Sequence, residues 1–285
     1  MTTTLRPSGP ELRATDGARS RTYDVCVNSR PVGSVRLATD ASPASGVGRI
    51  EGLTIAVPDR RWGRATVAAL AAEEVLRGWG CGQIMLAIPA DAEAALHLAT
   101  ALGYTERGRT LAKKLTTPPQ LPIGSAARPM DSTEFTVWQA TAKATYAQSW
   151  MNLGLPRAAA EEKSGTDHRR MLPDGAATRA AILRILAHQG TDVGTLWAGL
   201  RLPDHTDGCD GAGGCDGYVY DMQVTEEHRG RGHGRALMHL AEQECLAAGA
   251  RVLGLTVFAG NTPARRLYTS LGYRTTTRHL RKPLL

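Results

Sequence analysis

Several classes of protein are excluded by what this chain has little of. Aromatic residues make up only 5% of the 285 residues, and only five of the 34 basic residues are lysines. No apolar run approaches the roughly 18 residues that a membrane-spanning helix needs, so we expect no membrane segment. The first residues lack the apolar core of a secretory signal, and we therefore expect a cytoplasmic protein.

Cysteine is also scarce. The five cysteines are an odd number spread over the whole chain, which argues against a disulfide framework. Cys209 and Cys215 share the glycine-rich loop 207–217, where nearby His and Asp side chains can in principle complete a metal site. Because their spacing is not that of a usual zinc knuckle, we predict two incidental loop thiols and no metal site.

The net charge of +7 comes from arginine, and it admits two interpretations. A basic protein can bind nucleic acid through its phosphates. Here aromatic residues are few, and neither a helix-turn-helix nor an RNA-binding signature is present. We therefore expect no nucleic-acid partner. Part of the charge instead belongs to one glycine-rich stretch with Arg229, Arg231 and Arg235, and we expect Arg265 and Arg266, further along the chain, to collect around the same ligand.

That stretch has the layout of an anion-binding loop. A short β-rich segment, Tyr218–Val224, comes first, and a helix with an apolar stripe runs from Ala236 to Ala248. Between them lie Gly230, Gly232 and Gly234. Glycines let the backbone approach an anion closely, and the N–H groups of the first helical turn point at it. The order of elements therefore predicts a phosphate site.

Two common phosphate loops do not fit this spacing. No Lys-Ser or Lys-Thr pair follows the glycines, so the stretch is not a P-loop. The glycines read G-x-G-x-G rather than G-x-G-x-x-G, and the next strand, Val252–Phe258, carries no carboxylate to bind a ribose. A dinucleotide-binding fold is therefore excluded as well.

The remaining pattern is similar to that of a known family. The loop reads Arg229-x-x-Gly232-x-Gly234; a strand, Asn261, a helix with Tyr268 and Leu271-Gly272-Tyr273 follow in order. This series resembles the GNAT N-acetyltransferase superfamily, whose loop Q/R-x-x-G-x-G/A binds acetyl-CoA. The resemblance implies an α/β fold with a mixed, mostly antiparallel sheet flanked by helices. It also implies acetyl-CoA as co-substrate and an amine as acceptor.

The resemblance also implies roles for individual residues. Tyr268 matches the general acid that protonates the leaving thiolate, and Asp221 is the best candidate for the base that deprotonates the amine. Asn261 matches the residue that bonds the pantetheine arm, although it also suits a plain helix N-cap. The remaining cofactor contacts are expected from the strand Met222, Gln223 and Val224 and from the loop Arg229, Gly230, Arg231, Gly232, His233, Gly234 and Arg235.

The sequence repeats itself at an offset of 169 residues. Arg60-x-x-Gly63-x-Ala65 falls on the glycine loop, and Leu102-Gly103-Tyr104 falls on Leu271-Gly272-Tyr273. A period this long indicates duplicated domains rather than a solenoid. We therefore predict two tandem GNAT folds, with a degenerate domain at 19–116, a proline-rich linker at 117–125 and a catalytic domain at 126–285. Residues 1–18 are expected to be disordered.

The two repeats are not chemically equal. Where the second has Asn261 and Tyr268, the first has Ala92 and Ala99. Only the second repeat has a long segment before its first strand, with a helix predicted from Ser132, as its cap, to about Asn152. We therefore expect the chemistry to belong to the second repeat.

The acceptor and the assembly stay open at this stage. Aminosugars, cysteinyl compounds, antibiotic amines, polyamines, amino acids and peptide N-termini are all compatible acceptors. No cysteine is placed as an acyl carrier, so direct transfer is favoured over a ping-pong route. We expect a monomer or a homodimer. The alternative function is a non-catalytic sensor or scaffold that binds acyl-CoA.

Overall fold

The computed structural model describes residues 2–15, 17–40, 46–200 and 215–284. The chain forms two compact units. The N-terminal unit contains residues 1–107 and 278–285, and the C-terminal unit contains residues 108–277. Cys209 and most of the loop 207–217 lie outside the described residues, so the prediction of incidental thiols there stays a prediction.

Both repeats contain strands and helices, in the following order. The first repeat contains β1 (Thr3–Pro7), β2 (Leu12–Arg13), β3 (Arg19–Val27), β4 (Arg30–Thr39), β5 (Val47–Ile55), α1 (Arg64–Gly78), β6 (Gln83–Pro89), α2 (Glu93–Ala101) and β7 (Thr105–Lys114). The second contains β8 (Ser125–Pro129), α3 (Ser132–Asn152), α4 (Arg157–Met171), β9 (Ala181–His188), β10 (Thr191–Leu200), β11 (Gly217–Val224), α5 (His233–Ala247), β12 (Val252–Phe258), α6 (Thr262–Ser270) and β13 (Arg274–Pro283).

Each unit has one mixed sheet that is mostly antiparallel, as predicted. In the N-terminal unit the order is β1-β3-β4-β5-β6-β13, and in the C-terminal unit it is β7-β12-β11-β10-β9-β8. Parallel pairing joins β5 to β6 and β11 to β12. Leu186, Leu196, Leu237 and Leu253 form the fully buried centre of the C-terminal core. The fold class is therefore confirmed.

The N-terminal residues correct one expectation. Residues 1–18 were expected to be disordered, but Thr3–Pro7 pairs antiparallel with β3 from Thr3 opposite Val27 to Pro7 opposite Tyr23. Leu5 packs against the core of the unit. A short segment with little hydrophobic periodicity becomes ordered because an adjacent strand edge supplies its backbone hydrogen bonds.

The last strand of each repeat closes the sheet of the other unit. Residues Gly108–Lys114 pair with β12 from Phe258 to Val252, and Leu111 is buried in the C-terminal core. In the same way Leu280 is buried in the N-terminal core, and Leu284 N–H donates to Gly82 O. The structure therefore divides the chain differently from the predicted boundaries 19–116 and 126–285.

A buried ion pair holds each exchanged strand in place. Glu242, only 3% exposed, receives Lys113 Nζ at 2.8 Å on both of its carboxylate oxygens. The same pair recurs in the N-terminal unit, where Lys282 Nζ lies 2.6 Å from Glu73. Each lysine also lies over a tyrosine ring, Lys113 at 5.6 Å from Tyr273 in the C-terminal unit. Such an arrangement satisfies a carboxylate that water does not reach.

The segment predicted as a linker is attached to the C-terminal unit. Gln243 and His239 on α5 hydrogen-bond the carbonyls of Pro119 and Gln120, and Leu121 packs against the core. Helix α3 has its predicted bounds, but its N-cap is Asp131 rather than Ser132. Asp131 and Glu134 form a capping box. Within the described residues, no helix is both long and apolar enough to cross a membrane.

The first prediction concerns the exchanged strand of the C-terminal unit. Lys113→Met leaves Glu242 buried without a cation and should lower the free energy of unfolding by about 3 kcal/mol. Adding Glu242→Leu should recover much of this loss, because the unpaired charge is then removed. Urea titration followed by circular dichroism measures both. Arg157→Met, which breaks an exposed pair with Glu161, is the control and should cost less than about 0.5 kcal/mol. Equal losses in the two single variants would contradict the assignment.

Candidate functional site

Strands β11 and β12 are paired along only part of their length. Their parallel pairing covers only Gly217, Tyr218 and Val219 on β11. At this point β11 has a bulge, because Trp197 and Ala198 of β10 pair with Asp221 and Val219, which leaves Tyr220 as the extra residue. Bulges bend the strand that carries them. The bend therefore turns the rest of β11 away from β12.

Beyond the last residue that pairs with β12, one edge of β11 is open. Met222, Gln223 and Val224 pair with Leu196, Thr195 and Gly194 of β10 on one side. Their other side faces the gap to β12, where the ladder has ended. An open strand edge can receive an extended chain with amide groups as an added strand. The sequence-predicted residues Met222–Val224 lie on this edge.

A glycine loop closes the end of the gap. Gly230 and Gly232 have φ angles of 76° and 88°, in the left-handed region that favours glycine, and Gly232 is the N-cap of α5. The described residues supply no hydrogen-bond acceptor for the backbone N–H groups of Arg231, Gly232, His233 and Gly234. These groups form the positive end of a 15-residue helix. The loop therefore has the donors that a phosphate requires.

Three histidines lie together at this loop, and two of them, His188 and His228, were not among the sequence-predicted site residues. The ring of His233, 7% exposed, is 5.1 Å from His188 and 6.1 Å from His228. The hydroxyl of Ser125 forms a hydrogen bond of 2.9 Å with Nδ1 of His188, and the hydroxyl of Thr225 forms one of 2.8 Å with Nδ1 of His228. Burial lowers the pKa of His233, and the neighbouring histidines and Arg231 lower it further. His233 is therefore neutral near pH 7.

The corresponding loop in the N-terminal unit contains a fixed ion pair instead. Asp59 and Arg64 occupy the positions of His228 and His233. Asp59 is 5% exposed and accepts hydrogen bonds from Arg64 and, at 2.7 Å, from Arg30. Arg61, with a φ of 67°, stands where the C-terminal loop has Gly230. One cation of this loop, Arg64, and one of β4, Arg30, are thus bound by a carboxylate of the chain itself.

Asp221 lies on the face of β11 that α3 covers. Trp138 Nε1 donates to its Oδ2 at 3.2 Å. Burial raises the pKa of Asp221, and the hydrogen bond from Trp138 opposes this effect. A carboxylate with a raised pKa is a better proton acceptor than an exposed one. Asp221 can therefore act as a base at the point where β11 begins to leave β12.

Tyr268 lies on α6 and is 8% exposed. Burial raises the pKa of its phenol to about 12, with a further contribution from the negative charge of Asp221. The two candidate catalytic residues are therefore close enough to act on one another. The structure keeps the phenol protonated, as a proton donor must be before the reaction. Tyr273, whose ring is 6.2 Å away, is buried in the core.

Asn261 has the structural role that its sequence context suggested. Its Oδ1 accepts a hydrogen bond from Ala264 N–H at 3.1 Å, so it is the N-cap of α6. The residue is exposed at the open end of the gap, directly after β12. The cap uses its side-chain oxygen, and its side-chain amide can still donate to a ligand.

An aromatic cluster borders the gap on the α3 and α4 side. The ring of Trp197 lies 5.6 Å from Trp138, 5.4 Å from His168 and 4.9 Å from Tyr220. Trp197 and Tyr220, with Arg170 and Leu200, line a cavity of about 100 Å³. The described residues around this cavity include no carboxylate. No sequence pattern predicts this position of Trp197, because only the bulge at Tyr220 brings it beside Asp221.

Other chemistries find little support in the side chains present. The described residues contain no cluster of three His, Cys, Asp or Glu side chains arranged to hold a metal ion. Cys215 is buried beside Gly254. Burial raises the pKa of Cys245 in α5 to about 12, so this thiol stays protonated and is a poor nucleophile.

Comparison with known proteins agrees with this geometry. The sequence pattern of the acetyltransferase (GNAT) family matches residues 4–104 and 157–273. The chain belongs to the GNAT family. Both repeats are covered by the match, including the degenerate loop of the first.

This GNAT protein is similar to a curated protein in sequence and to two solved structures in fold. The uncharacterised N-acetyltransferase YycN of Bacillus subtilis is 30% identical over 153 residues, which cover 52% of this chain and 91% of YycN. The structure of a GCN5-related N-acetyltransferase from Sphaerobacter thermophilus superposes on this chain with a TM-score of 0.60 at 18% identity. The match covers 92% of this chain and 80% of the Sphaerobacter chain. The structure of a tandem GNAT protein from the clavulanic acid biosynthesis pathway has a TM-score of 0.51 at 19% identity. That match covers 95% of this chain and 85% of the tandem protein. These two solved structures have the same fold as this chain.

The second prediction tests the glycine loop with a matched control. Gly232→Glu places a charged side chain at a left-handed position within the loop and should abolish acetyl-CoA binding, measured by calorimetry. Gly63→Glu introduces the same residue at the equivalent position of the N-terminal unit, where φ is 72°. That control should leave acetyl-CoA affinity unchanged. Wild-type affinity in Gly232→Glu would overturn the assignment of the loop.

Proposed function

We propose that the C-terminal unit is an acetyl-CoA-dependent N-acetyltransferase that transfers the acetyl group directly to an amine. The observation that carries this proposal is the gap between β11 and β12, which ends at the donors of the glycine loop. A pantetheine arm fits the open edge of Met222–Val224, and the pyrophosphate fits the N–H groups of Arg231–Gly234. When bound, acetyl-CoA supplies an acetyl thioester as the activated group.

The residues of the chain then divide the proton transfers between them. Asp221 accepts a proton from the ammonium group of the acceptor, so that its nitrogen lone pair can attack the acetyl carbon. The new C–N bond forms as the C–S bond breaks, and Tyr268 donates its phenolic proton to the leaving sulfur. Neutralising Asp221 removes the charge that helps to raise the pKa of Tyr268. The first proton transfer therefore makes the second easier.

The N-terminal unit is proposed to be inactive. At the positions of Asn261 and Tyr268 it has Ala92 and Ala99, which leaves neither a side-chain donor nor an acid. Beside its loop, the buried carboxylate of Asp59 binds Arg64 and Arg30. The carboxylate therefore competes with an anionic ligand for these two cations. These differences support catalysis by the second repeat alone.

The acceptor side of the gap favours amines with an uncharged or anionic body. The 100 Å³ cavity beside Trp197 and Tyr220 has Arg170 as its charged lining residue. A second ammonium group, as in a polyamine, finds no carboxylate among the described residues around it. The chain also shares 41% identity over 63 residues with N-alpha-acetyltransferase 40 of Saccharomyces cerevisiae, covering 20% of this chain and 22% of that protein. Its name keeps peptide N-termini among the candidate acceptors.

A sensor or scaffold that binds acyl-CoA without turnover is the second candidate function. Ala92 and Ala99, which replace Asn and Tyr in the first repeat, favour a role without turnover for that half of the chain. Thiol release from acetyl-CoA with a panel of amines, with mass detection of the acetylated product, separates the two functions. Binding of acetyl-CoA without product across the panel would favour the sensor.

The third prediction concerns the proton donor. Tyr268→Phe should lower kcat by about 10²–10⁴-fold and leave acetyl-CoA affinity unchanged, because only the proton is lost. Stopped thiol-release assays under chemistry-limited conditions measure kcat, and calorimetry measures affinity. Tyr273→Phe is the matched control, since this neighbouring tyrosine recurs as Tyr104 in the N-terminal unit. Unchanged kcat in Tyr268→Phe would remove Tyr268 from this role.

The fourth prediction concerns pH. Asp221 works as a carboxylate, so kcat/KM should fall as the pH falls through its pKa. Because burial raises that pKa, the acidic limb should lie above the range of an ordinary aspartate. Asp221→Asn should lose this limb and about 10²–10⁴-fold in rate at neutral pH. An unchanged acidic limb in the variant would assign the base to another group.

A further inference from the structure

The three histidines at the glycine loop take no part in the proton transfers proposed for Asp221 and Tyr268. They come from three different elements: His188 is the last residue of β9, His228 ends the turn before the loop, and His233 is the first residue of α5. The rings of His188 and His228 lie 5.1 Å and 6.1 Å from the ring of His233. We call these three residues the histidine cluster, with His188 and His228 as its outer members.

The surroundings of the histidine cluster are basic. Burial lowers the pKa of His233, and the two outer members and Arg231 lower it further; these are the charged groups that act on it among the described residues. Arg229, between His228 and the first glycine, adds a second exposed cation. The carboxylates nearest in sequence, Glu226 and Glu227, are exposed in the turn before the loop. Burial therefore keeps His233 neutral, and a gain of charge falls to the outer members.

The hydrogen-bond partners of the outer members suit both protonation states. Nδ1 of His188 is bonded to the hydroxyl of Ser125, and Nδ1 of His228 is bonded to the hydroxyl of Thr225. A hydroxyl group can donate to a neutral ring nitrogen, and it can rotate to accept from a protonated one. The outer histidines can therefore gain a proton and keep these hydrogen bonds.

The fold does not require titratable groups at these positions. In the N-terminal unit Asp59 and Arg64 stand where the second repeat has His228 and His233, and they form an ion pair. An aspartate and an arginine both keep their charges throughout the neutral range of pH. Histidine, by contrast, changes its charge within that range. A loop whose charge depends on pH is therefore a property of the second repeat.

We propose that the outer members of the histidine cluster take up a proton when an anion binds at the glycine loop, so that the affinity for the coenzyme rises as the pH falls. This regulation rests on the proposed function, since the anion in question is the diphosphate of the coenzyme. Its negative charge stabilises an imidazolium close to the loop. Anion binding and protonation then strengthen one another by the same factor.

The sign of the pH effect follows from this linkage. With the anion bound, the outer histidines gain their proton at a higher pH than in the free protein. Between these two pH values the complex holds more protons than the free protein, so acidification favours the complex. Asp221 responds in the opposite sense, because a protonated carboxyl group cannot act as a base. Acidification should therefore retain the coenzyme on the enzyme while acetyl transfer stops.

Calorimetry with dephospho-CoA tests the linkage. This coenzyme lacks the phosphate monoester, whose own charge changes near pH 6. We expect the Kd of the full chain to be about 3–10-fold lower at pH 6 than at pH 8, since one proton changes Kd by at most about tenfold per pH unit. At pH 6, heats measured in two buffers of different ionisation enthalpy should show a net uptake of protons on binding.

A double variant shows whether the outer histidines are the source of this pH dependence. His188→Gln/His228→Gln should bind dephospho-CoA as wild type does at pH 8 and should show the same Kd at pH 6. His97→Gln removes an exposed histidine from α2 of the N-terminal unit, and this control should keep the pH dependence of wild type. A double variant with the pH dependence of wild type, or a wild-type Kd that is independent of pH, would overturn the proposal.

Sulfate separates the histidine cluster from the coenzyme. Proton NMR follows the protonation of the histidine rings against pH, in sulfate and in chloride at equal ionic strength, and the two Gln substitutions assign the signals. We expect His188 and His228 to gain their protons at a higher pH in sulfate. If dephospho-CoA binds at no pH, the proposed function fails and the sulfate titration decides on the cluster. Equal titration midpoints in the two salts would then contradict proton uptake.

Discussion

A buried glutamate on the first helix after the glycine loop fixes how each sheet is completed. Glu242 and its counterpart Glu73 are both almost inaccessible to water, and each needs a cation that its own repeat does not place there. Lys113 and Lys282 supply it from the exchanged strands. Since an unpaired buried carboxylate costs several kcal/mol, each sheet has to be completed by a strand that carries such a lysine. The core residues Leu111 and Leu280 then follow their lysines into place.

With the sheet closed on one side, the other features of the site depend on where β11 stops pairing. The bulge at Tyr220 opens the edge of Met222–Val224 and brings Asp221 opposite Trp197. Helix α3 then covers Asp221; burial raises the pKa of the carboxyl group, and the hydrogen bond from Trp138 opposes this effect. One irregular residue thus both opens a strand edge and places a carboxylate beside it. The glycine loop alone provides neither.

Much of this was accessible from the sequence, since the repeat, the glycine loop and the positions of Asn261 and Tyr268 depend on local patterns. The strand exchange was not. Leu111 and Leu280 occupy equivalent positions in the two repeats, so either partner sheet satisfies the same apolar pattern, and only the three-dimensional pairing decides between them. The bulge at Tyr220 and the contact between the rings of His188 and His233 could not be predicted from the sequence for the same reason. Both arise from contacts between strands or loops that are distant in sequence.

The exchange has a consequence for shortening the chain. A chain cut at the linker would begin after Lys114, and β12 would lose the neighbour that covers its edge from Val252 to Phe258. An uncovered edge invites pairing with another molecule. The first repeat, which has Ala92 and Ala99 at the positions of Asn261 and Tyr268, therefore still serves the second as the source of that strand.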